Sequence, residues 1–357
     1  MYKVVGIMSG TSLDGLDIAY CEFVCKGSKD PEWSYSIKAA ETIKYGKEWK
    51  ATLKRAYSQN HNALKKFDKE YGTFIGKEVL KFIAKKRIYP HFISSHGHTI
   101  FHQPDKGITY QAGDGKILSE VCRLPVVCDF RSGDVALGGQ GAPLVPLVDK
   151  ILFSKNRFCL NLGGFANISY DDLKGRRIAF DICPVNIVLN ELAIILGHEY
   201  DKNGKIASKG KINAELLRRL NALTYYKRKA PKSLGREWVE QVFMPALQEF
   251  EIPVQDIART VCEHIAFQMA STLDLLASKR TDKLLVTGGG VYNKFLMDRI
   301  KSVVIAHVVV PNDKTIQFKE AMAFAFLGVL RMRKEINILK SVTGAKRDSS
   351  GGTLFNR

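Results

Sequence analysis

Apolar runs that end abruptly at glycine and hydroxyl residues recur along the chain. Short runs of this kind, bounded by turn residues, are typical of buried strands. The first run, Val4–Met8, stops at Ser9, and glycine, hydroxyl and acidic residues then fill the sequence as far as Gly15. The pattern predicts strands over residues 2–8, 16–24, 92–95 and 124–128, a strand–turn–strand unit over 158–170, and a strand over 284–286.

Apolar residues at helical spacing predict three helices. Over residues 47–87 they recur from Leu53 to Ile83, and over residues 256–279 they lie on one helical face. A third helix is expected over residues 320–332.

A strand that runs into a glycine loop occurs three times: the first glycine loop (9–15), the second (163–167) and the third (287–290). Since 357 residues exceed one ordinary core, and since the strand–turn–strand unit starts again after a Gly- and Pro-rich loop, we predict two domains. They cover residues 1–135, with the first glycine loop, and residues 136–357. A return of the last helices to the first domain is left open.

Composition narrows the class of protein. Hydrophobic residues make up 45% and charged residues 25%, as in ordinary globular proteins, and no apolar stretch is long enough to span a bilayer. The N-terminal apolar run is too short for a signal peptide, so we expect a cytoplasmic protein without a membrane partner. The seven cysteines include no CxxC pair, which argues against a disulfide framework or a zinc ribbon.

A formal net charge of +18 raises the question of nucleic-acid binding. The lysines are spread over predicted helical stretches, and only Tyr225–Lys229 combines dense charge with aromatic residues. Because no recognition motif accompanies the charge, we expect no nucleic-acid partner. The basic surface is interpreted as one that favours an anionic substrate.

The first glycine loop suits anion binding, because glycine turns expose consecutive backbone N–H groups that can cradle phosphate. Thr11 and Ser12 add hydroxyl donors, whereas the carboxylate of Asp14 would repel phosphate unless Mg²⁺ lies between them. From these residues alone, an ordinary polar hairpin explains the loop equally well. The chain contains neither GxxxxGK[ST] nor GxGxxG, which excludes the P-loop and the commonest dinucleotide motif.

Eight collinear blocks resemble those of anhydro-N-acetylmuramic acid kinases, within the actin/Hsp70/sugar-kinase superfold. Most are common when taken singly, but the ordered set covers almost the whole chain and is very specific. The blocks are GIMSGTSLDGLD (6–17), SSHGHTIFHQP (94–104), DFRSGDVALGGQGAPLVP (129–146), LNLGGFANIS (160–169), PKSLGRE (231–237), VTGGGVYN (286–293), KEAMAFAFL (319–327) and VTGA (342–345).

The resemblance implies an α/β fold of two actin/Hsp70/hexokinase-like domains. Each would be a ribonuclease H-like five-stranded sheet with flanking helices, and the two would close over a cleft that binds ATP and Mg²⁺. Asp14 would face Mg²⁺ through water. The residues that the resemblance assigns to the nucleotide are Ser9, Gly10, Thr11, Ser12, Leu13, Asp14, Gly15, Leu16, Gly163, Gly164, Gly288, Gly289 and Gly290.

The implied substrate is 1,6-anhydro-N-acetylmuramic acid, a product of cell-wall turnover that enters peptidoglycan recycling. The family opens the anhydro ring with water and transfers phosphate to O6, giving N-acetylmuramic acid 6-phosphate. Asp181 matches the position of the base that activates the water. Family members are typically homodimers. The residues assigned to the sugar are His96, Arg131, Asn167, Asn186 and Glu320, although Glu320 could instead complement the N-terminal charge of the predicted helix 320–332.

The chain departs from the family pattern beside Asp181, where FDTGPGN is replaced by FDICPVN. If the two lost glycines held positive φ, Cys183 and Val185 would be strained by about 1–3 kcal/mol. If the glycines only allowed close approach of substrate, the new side chains narrow the pocket. We interpret Cys183 as a packing residue rather than a nucleophile.

His98 replaces the usual glutamine of the family, and with His96 and His102 it forms HxHxxxH. We interpret these histidines as hydrogen-bonding residues rather than zinc ligands, because no further ligand lies near them in sequence.

Two alternative functions stay open: another amino-sugar kinase of the superfold, and a non-catalytic actin-like nucleotide-binding protein. The sugar-side blocks argue against the second.

Overall fold

The computed structural model describes residues 1–10, 13–27 and 31–356. Within these ranges the strands are β1 (Tyr2–Ser9), β2 (Gly15–Lys26), β3 (Glu32–Lys44), β4 (Phe92–Gln103), β5 (Ile108–Ala112), β6 (Val126–Cys128), β7 (Phe158–Leu162), β8 (Phe165–Asp171), β9 (Arg177–Pro184), β10 (Lys283–Thr287), β11 (His307–Val309) and β12 (Thr353–Phe355). The helices are α1 (Lys47–Arg55), α2 (His61–Lys86), α3 (Gly115–Cys122), α4 (Ser132–Ala136), α5 (Val145–Leu152), α6 (Asn186–Ile195), α7 (Ala214–Asn221), α8 (Arg236–Trp238), α9 (Met244–Gln248), α10 (Val254–Leu275), α11 (Lys294–Val303), α12 (Asp313–Met332) and α13 (Lys340–Thr343). None of the helices in this part of the chain has the length and apolar character that a bilayer crossing needs.

The chain forms two compact units. The first consists of Met1–Leu152 together with the chain from Phe318 onward, and the second of Phe153–Gln317. The division falls later than the predicted boundary at 135, because α5 belongs to the first unit. There Asp149 of α5 forms a buried ion pair with Lys319 of α12, with Oδ1 and Nζ 2.7 Å apart.

The two units are built on the same arrangement of strands. In the first, β1, β2 and β3 form an antiparallel meander, and β4 and β6 continue the sheet parallel to β1, in the order β3-β2-β1-β4-β6. In the second, the order β9-β8-β7-β10-β11 repeats these directions strand for strand. Strands β5 and β12 extend the first sheet to seven. The predicted α/β class with a duplicated sheet is therefore confirmed, with two strands more than expected in the first unit.

Several predicted elements differ from those observed. The helix expected over residues 47–87 is interrupted, because the side chain of Asn60 accepts the N–H of Ala63 and starts α2 anew. The helix expected over 320–332 begins at Asp313 and bends at Phe318, where φ is −115° and ψ is 16°. Glu320 therefore lies directly after the kink, in the first turn of the helical segment that follows Phe318, and its complementarity with a helix N-terminus stays a prediction.

Close packing of α12 on the first sheet depends on small residues. The Ser94 hydroxyl of β4 donates to the carbonyl of Phe324 at 2.5 Å. At Gly6 of β1, a Cβ atom would overlap the carbonyl oxygen of Ala321 and lie 2.8 Å from Cβ of Ala325. The glycine therefore lets the helix backbone approach the strand.

We expect Gly6→Ala to lower the free energy of unfolding by about 1–3 kcal/mol, because the added methyl group must push α12 away from β1. Urea denaturation of purified protein measures this change. Gly133→Ala in α4 is the matched control: a Cβ there meets nothing within 4 Å, and the change should lower stability by no measurable amount, since alanine suits a helix better than glycine. Equal stabilities of the two variants would contradict the packing described.

Candidate functional site

The first glycine loop leaves β1 directly after Ser9. The backbone N–H of Leu13 donates to the carbonyl of Gly10 at 3.3 Å, and Leu13 has φ 60°. Asp14 is exposed, whereas the side chains of Leu13 and Leu16 are buried in the first core. The two leucines thus offer only backbone groups to a ligand. The predicted contacts from Thr11 and Ser12 lie outside the described residues.

His96 and Arg131, both assigned to the sugar, lie together in the first unit. The guanidinium Nε–H of Arg131 donates to His96 Nε2 at 3.0 Å, and its Nη1 donates to the carbonyl of Gly141 at 2.6 Å. Because His96 Nε2 accepts, the ring proton lies on Nδ1, which faces the carbonyl of Gly97 at 3.0 Å. Burial, and next the charge of Arg131, hold the pKa of His96 well below its usual value. His96 is therefore neutral, and Arg131 retains donors for a ligand.

Glu320 belongs electrostatically to the same group. Its side chain is open to solvent on one side, yet the protein atoms around it desolvate the carboxylate and raise its pKa, and the charge of Asp17 raises it further. Burial lowers the pKa of Arg131 to about 10, and Glu320 opposes this shift. Arg131 therefore stays cationic at neutral pH.

A buried carboxylate that the sequence analysis did not single out holds the loop after α4. Asp134 accepts the N–H of Gly141 and the hydroxyl of Thr343, both at 2.8 Å. It is fully buried. Two of the eight blocks that resemble the family, 129–146 and 342–345, thus meet at one side chain.

The three histidines of HxHxxxH have separate partners. His98 Nδ1 contacts Ser9 Oγ at 2.8 Å, His102 Nδ1 contacts Thr109 Oγ1 at 3.1 Å, and His96 contacts Arg131. Among the described residues, no group of three His, Cys, Asp or Glu side chains has the arrangement of a metal site.

In the second unit, a row of polar residues crosses the sheet. Asp181 of β9 pairs directly with Asn167 of β8, Asn167 with Asn161 of β7, and Asn161 with Thr287 of β10. Directly paired residues place their side chains on the same face of a sheet. The predicted base and one predicted sugar ligand are therefore neighbours. Asn161 was missed, although a polar residue inside the apolar run before the second glycine loop was a visible signal.

Asp181 is fixed by Tyr225 and by the segment 231–237. Its Oδ2 accepts the backbone N–H of Leu234 at 2.9 Å, its own N–H donates to the carbonyl of Lys232 at 3.1 Å, and its carbonyl accepts the hydroxyl of Tyr225 at 2.6 Å. Desolvation raises the pKa of the carboxyl group, and the Leu234 N–H partly opposes this. A rigid carboxylate of raised basicity suits a general base.

The altered segment beside Asp181 packs inward. Ile182, Cys183 and Val185 are all buried in the core of the second unit. None of them has positive φ; that of Val185 is −130°. The side chains thus fill the core without left-handed strain. Burial raises the pKa of the Cys183 thiol, which keeps it protonated and supports its interpretation as a packing residue.

The second and third glycine loops lie side by side. The N–H groups of Val185 and Asn186 donate to the carbonyls of Gly164 and Gly163 at 2.8 and 3.3 Å. Asn186 Nδ2 donates to Leu162 at 3.3 Å. A cavity of about 230 Å³ opens here, lined by Asn186, Leu189, Asn190, Tyr200, Asp201, Asn203, Gly289, Tyr292 and Asn293. Asn186, assigned to the sugar, therefore lies with the glycines assigned to the nucleotide.

Comparison with known proteins covers the whole chain. The family model for anhydro-N-acetylmuramic acid kinase matches residues 2–357. The anhydro-N-acetylmuramic acid kinase of Vibrio parahaemolyticus serotype O3:K6 is 34% identical, over 99% of this chain and 98% of the relative, and that of Francisella tularensis subsp. novicida is 33% identical, over 96% and 95%. Among solved structures, the activator of 2-hydroxyisocaproyl-CoA dehydratase from Clostridium difficile aligns over 90% of this chain and 92% of its own, with 14% identity and a TM-score of 0.45.

Proposed function

The chain belongs to the anhydro-N-acetylmuramic acid kinase family, and from this premise we propose that it opens the 1,6-anhydro ring of 1,6-anhydro-N-acetylmuramic acid with water and phosphorylates O6. The enzyme is a nucleotide-dependent phosphotransferase of that family. The proposed product is N-acetylmuramic acid 6-phosphate, formed in peptidoglycan recycling with ATP as phosphoryl donor. The observation that carries the proposal is Asp181, a fixed carboxylate of raised pKa next to Asn167.

The roles follow from proton and bond accounting. Asp181 removes a proton from water as the water oxygen bonds to the anomeric carbon C1, and the bond from C1 to O6 breaks. The electron pair left on O6 makes it a nucleophile toward the γ-phosphoryl group, whose bond to the ADP oxygen breaks in turn. Asp181 then releases its proton to solvent. One base thus serves both halves of the reaction, while the rest of the protein supplies positioning and charge neutralisation.

The nucleotide would be held by the glycine loops. The exposed carboxylate of Asp14 has the donor chemistry that Mg²⁺ prefers, and it lies next to Gly15 at the start of β2. When bound, Mg²⁺ would offset the phosphate charge. The first glycine loop, with Thr11 and Ser12, would contact the phosphates, and Gly288–Gly290 with the neighbouring cavity would receive the adenosine. The homodimer and the cytoplasmic location remain predictions.

The reaction is tested in ¹⁸O-labelled water. Purified protein, ATP, Mg²⁺ and the anhydro sugar are incubated, and the product is fragmented in a mass spectrometer. We expect one phosphate at O6 and one ¹⁸O atom at C1. A phosphosugar formed only from other amino sugars would indicate a different kinase, and filaments with ATP but no phosphorylated product would indicate the actin-like alternative.

Arg131→Lys should raise KM for the anhydro sugar about tenfold or more and leave KM for ATP within about twofold. A point-like ammonium group lacks the planar fork that reaches His96 and Gly141 and still offers paired donors to the lactyl carboxylate or the hydroxyls of the sugar. Steady-state kinetics with each substrate varied in turn separates the two constants. Arg55→Lys, at an exposed position of α1, is the control. Equal increases in both KM values would reject a sugar-specific role.

A further inference from the structure

A buried chain of hydrogen bonds lies directly behind the first glycine loop. Ser9 Oγ is 2.7 Å from the hydroxyl oxygen of Tyr45 and 2.8 Å from Nδ1 of His98. The hydroxyl of Tyr45 is 2.6 Å from that of Tyr71. We call Ser9, His98, Tyr45 and Tyr71 the loop-base network. The proposed reaction assigns no step to three of its four members.

The network joins four parts of the first unit at one point. Ser9 ends β1, His98 lies in β4, Tyr45 follows β3, and Tyr71 lies in α2. Their exposed fractions are 1%, 4%, 5% and 0%. Water therefore cannot replace a lost partner, and each polar group depends on the others for its hydrogen bond.

The network has enough donors and acceptors to fill its own contacts. Three contacts need three donors, and each hydroxyl carries one hydrogen. Burial lowers the pKa of His98 to about 4, against a hydrogen bond with the Ser9 backbone, so the ring is neutral and has one donor and one acceptor nitrogen. Each hydroxyl can donate one hydrogen bond and accept two, so all three contacts can be filled inside the network without water. Removal of the Tyr45 hydroxyl thus takes one hydrogen-bond partner from each of Ser9 and Tyr71.

The network acts at the residue from which the loop starts. Backbone pairing aligns Ser9 with Leu16 of β2 and with His98 of β4, and Gly10 follows immediately. A stable core at this place would need only apolar side chains, since buried polar groups carry a desolvation cost. A fully paired polar network instead fixes direction, because its hydrogen bonds tolerate little change of angle. The side chain and the backbone of Ser9 are therefore held together.

We propose that His98, Tyr45 and Tyr71 are positioning residues that fix Ser9, and through it the first glycine loop, in the geometry that binds the nucleotide phosphates. The inference rests on the proposed function in one respect: that this loop receives the phosphates. It adds a set of residues that would touch neither substrate and would act through Ser9.

The test compares Tyr45→Phe and His98→Leu with the wild-type protein. Titration calorimetry with ATP and Mg²⁺, in the absence of sugar, measures the nucleotide Kd, and kinetics measure kcat and both KM values. We expect each variant to raise the nucleotide Kd and KM about tenfold, with KM for the sugar within about twofold. Tyr45→Phe keeps the ring that packs against Phe74 at 6.1 Å, so lost packing does not account for the effect.

Three further variants separate positioning from stability. His98→Gln keeps a donor and an acceptor and should restore Kd to within about threefold of wild type. Tyr57→Phe, at an exposed position of the same unit, should change nothing. If His98→Leu does not fold, Tyr71→Phe, which removes only the distal hydroxyl, replaces it with the same expectation.

The possible failures are distinguishable. Variants with lower melting temperatures but wild-type Kd and KM for nucleotide would show that the network only stabilises the fold, which overturns the inference alone. Nucleotide binding without any product from the anhydro sugar would overturn the proposed reaction and leave the network to be judged by Kd. A wild-type protein that bound no nucleotide would overturn both.

Discussion

Asp181→Asn should lower kcat for the anhydro sugar by about 10²–10⁴-fold while the Kd for nucleotide stays within about twofold of wild type. The amide has the same shape and still offers an oxygen to the N–H of Leu234, which lies 2.9 Å from Oδ2 of the aspartate. It cannot take a proton from water. Single-turnover kinetics with mass-spectrometric detection of the phosphosugar measures the loss directly.

The pH dependence provides a second readout. Because desolvation raises the pKa of Asp181, the wild-type rate should fall on the acid side as the carboxylate becomes protonated, from a higher pH than an ordinary aspartate would give. The residual activity of Asp181→Asn should lack this acid limb. Asp298→Asn, at an exposed site on α11, is the control for loss of one negative charge. Unchanged turnover in Asp181→Asn would remove the residue from the mechanism.

The duplicated architecture could be predicted because both sheets begin with the same local signal. An apolar run that ends at glycine residues marks β1 and β7, and both become the middle strand of the five-strand order, with an antiparallel neighbour on one side and a parallel neighbour on the other. The signal is local, since a buried strand and a tight turn each depend on neighbouring residues. Strand β3 was missed because its residues are mostly half-exposed, so it contains no continuous apolar run.

Boundaries that depend on distant partners could not be predicted. The periodicity over 47–87 continues through the break between α1 and α2, because both helices turn apolar faces toward the same core. The unit boundary depends on Asp149 and Lys319, which are far apart in sequence and meet only after folding. The start of α12 at Asp313 was missed for a similar reason, because the bend at Phe318 divides one helix between the two units.

The candidate site shows the same contrast. The resemblance led to Asp181, His96 and Arg131, and the structure gives each of them defined partners. It did not indicate the backbone of Leu234, because a residue that supports another by a main-chain group has no sequence signature of its own. The left-handed strain that was considered for Cys183 and Val185 is absent, because neither residue has positive φ, and a φ angle cannot be derived from the residue types alone.

Gly288→Ala should lower the free energy of unfolding by about 2–4 kcal/mol and weaken nucleotide binding at least tenfold. Gly288 has φ 88°, where an alanine is strained by about 1–3 kcal/mol. A Cβ would also lie 2.5 Å from Asn161 Oδ1 and 2.7 Å from the carbonyl oxygen of Leu162, and the backbone oxygen cannot rotate away. Urea denaturation and titration calorimetry with ATP measure the two effects.

Gly175→Ala separates strain from the clash. Gly175 has φ 73° in the turn between β8 and β9, and a Cβ there meets nothing within 4 Å. It should therefore show only the conformational cost, about 1 kcal/mol, with unchanged nucleotide binding. The excess loss in Gly288→Ala then measures how tightly the third glycine loop packs on Leu162 and Asn161. Equal losses in the two variants would mean that this contact yields without cost. The Asn161 side chain would then have no part in holding the loop next to the polar row that ends at Asp181.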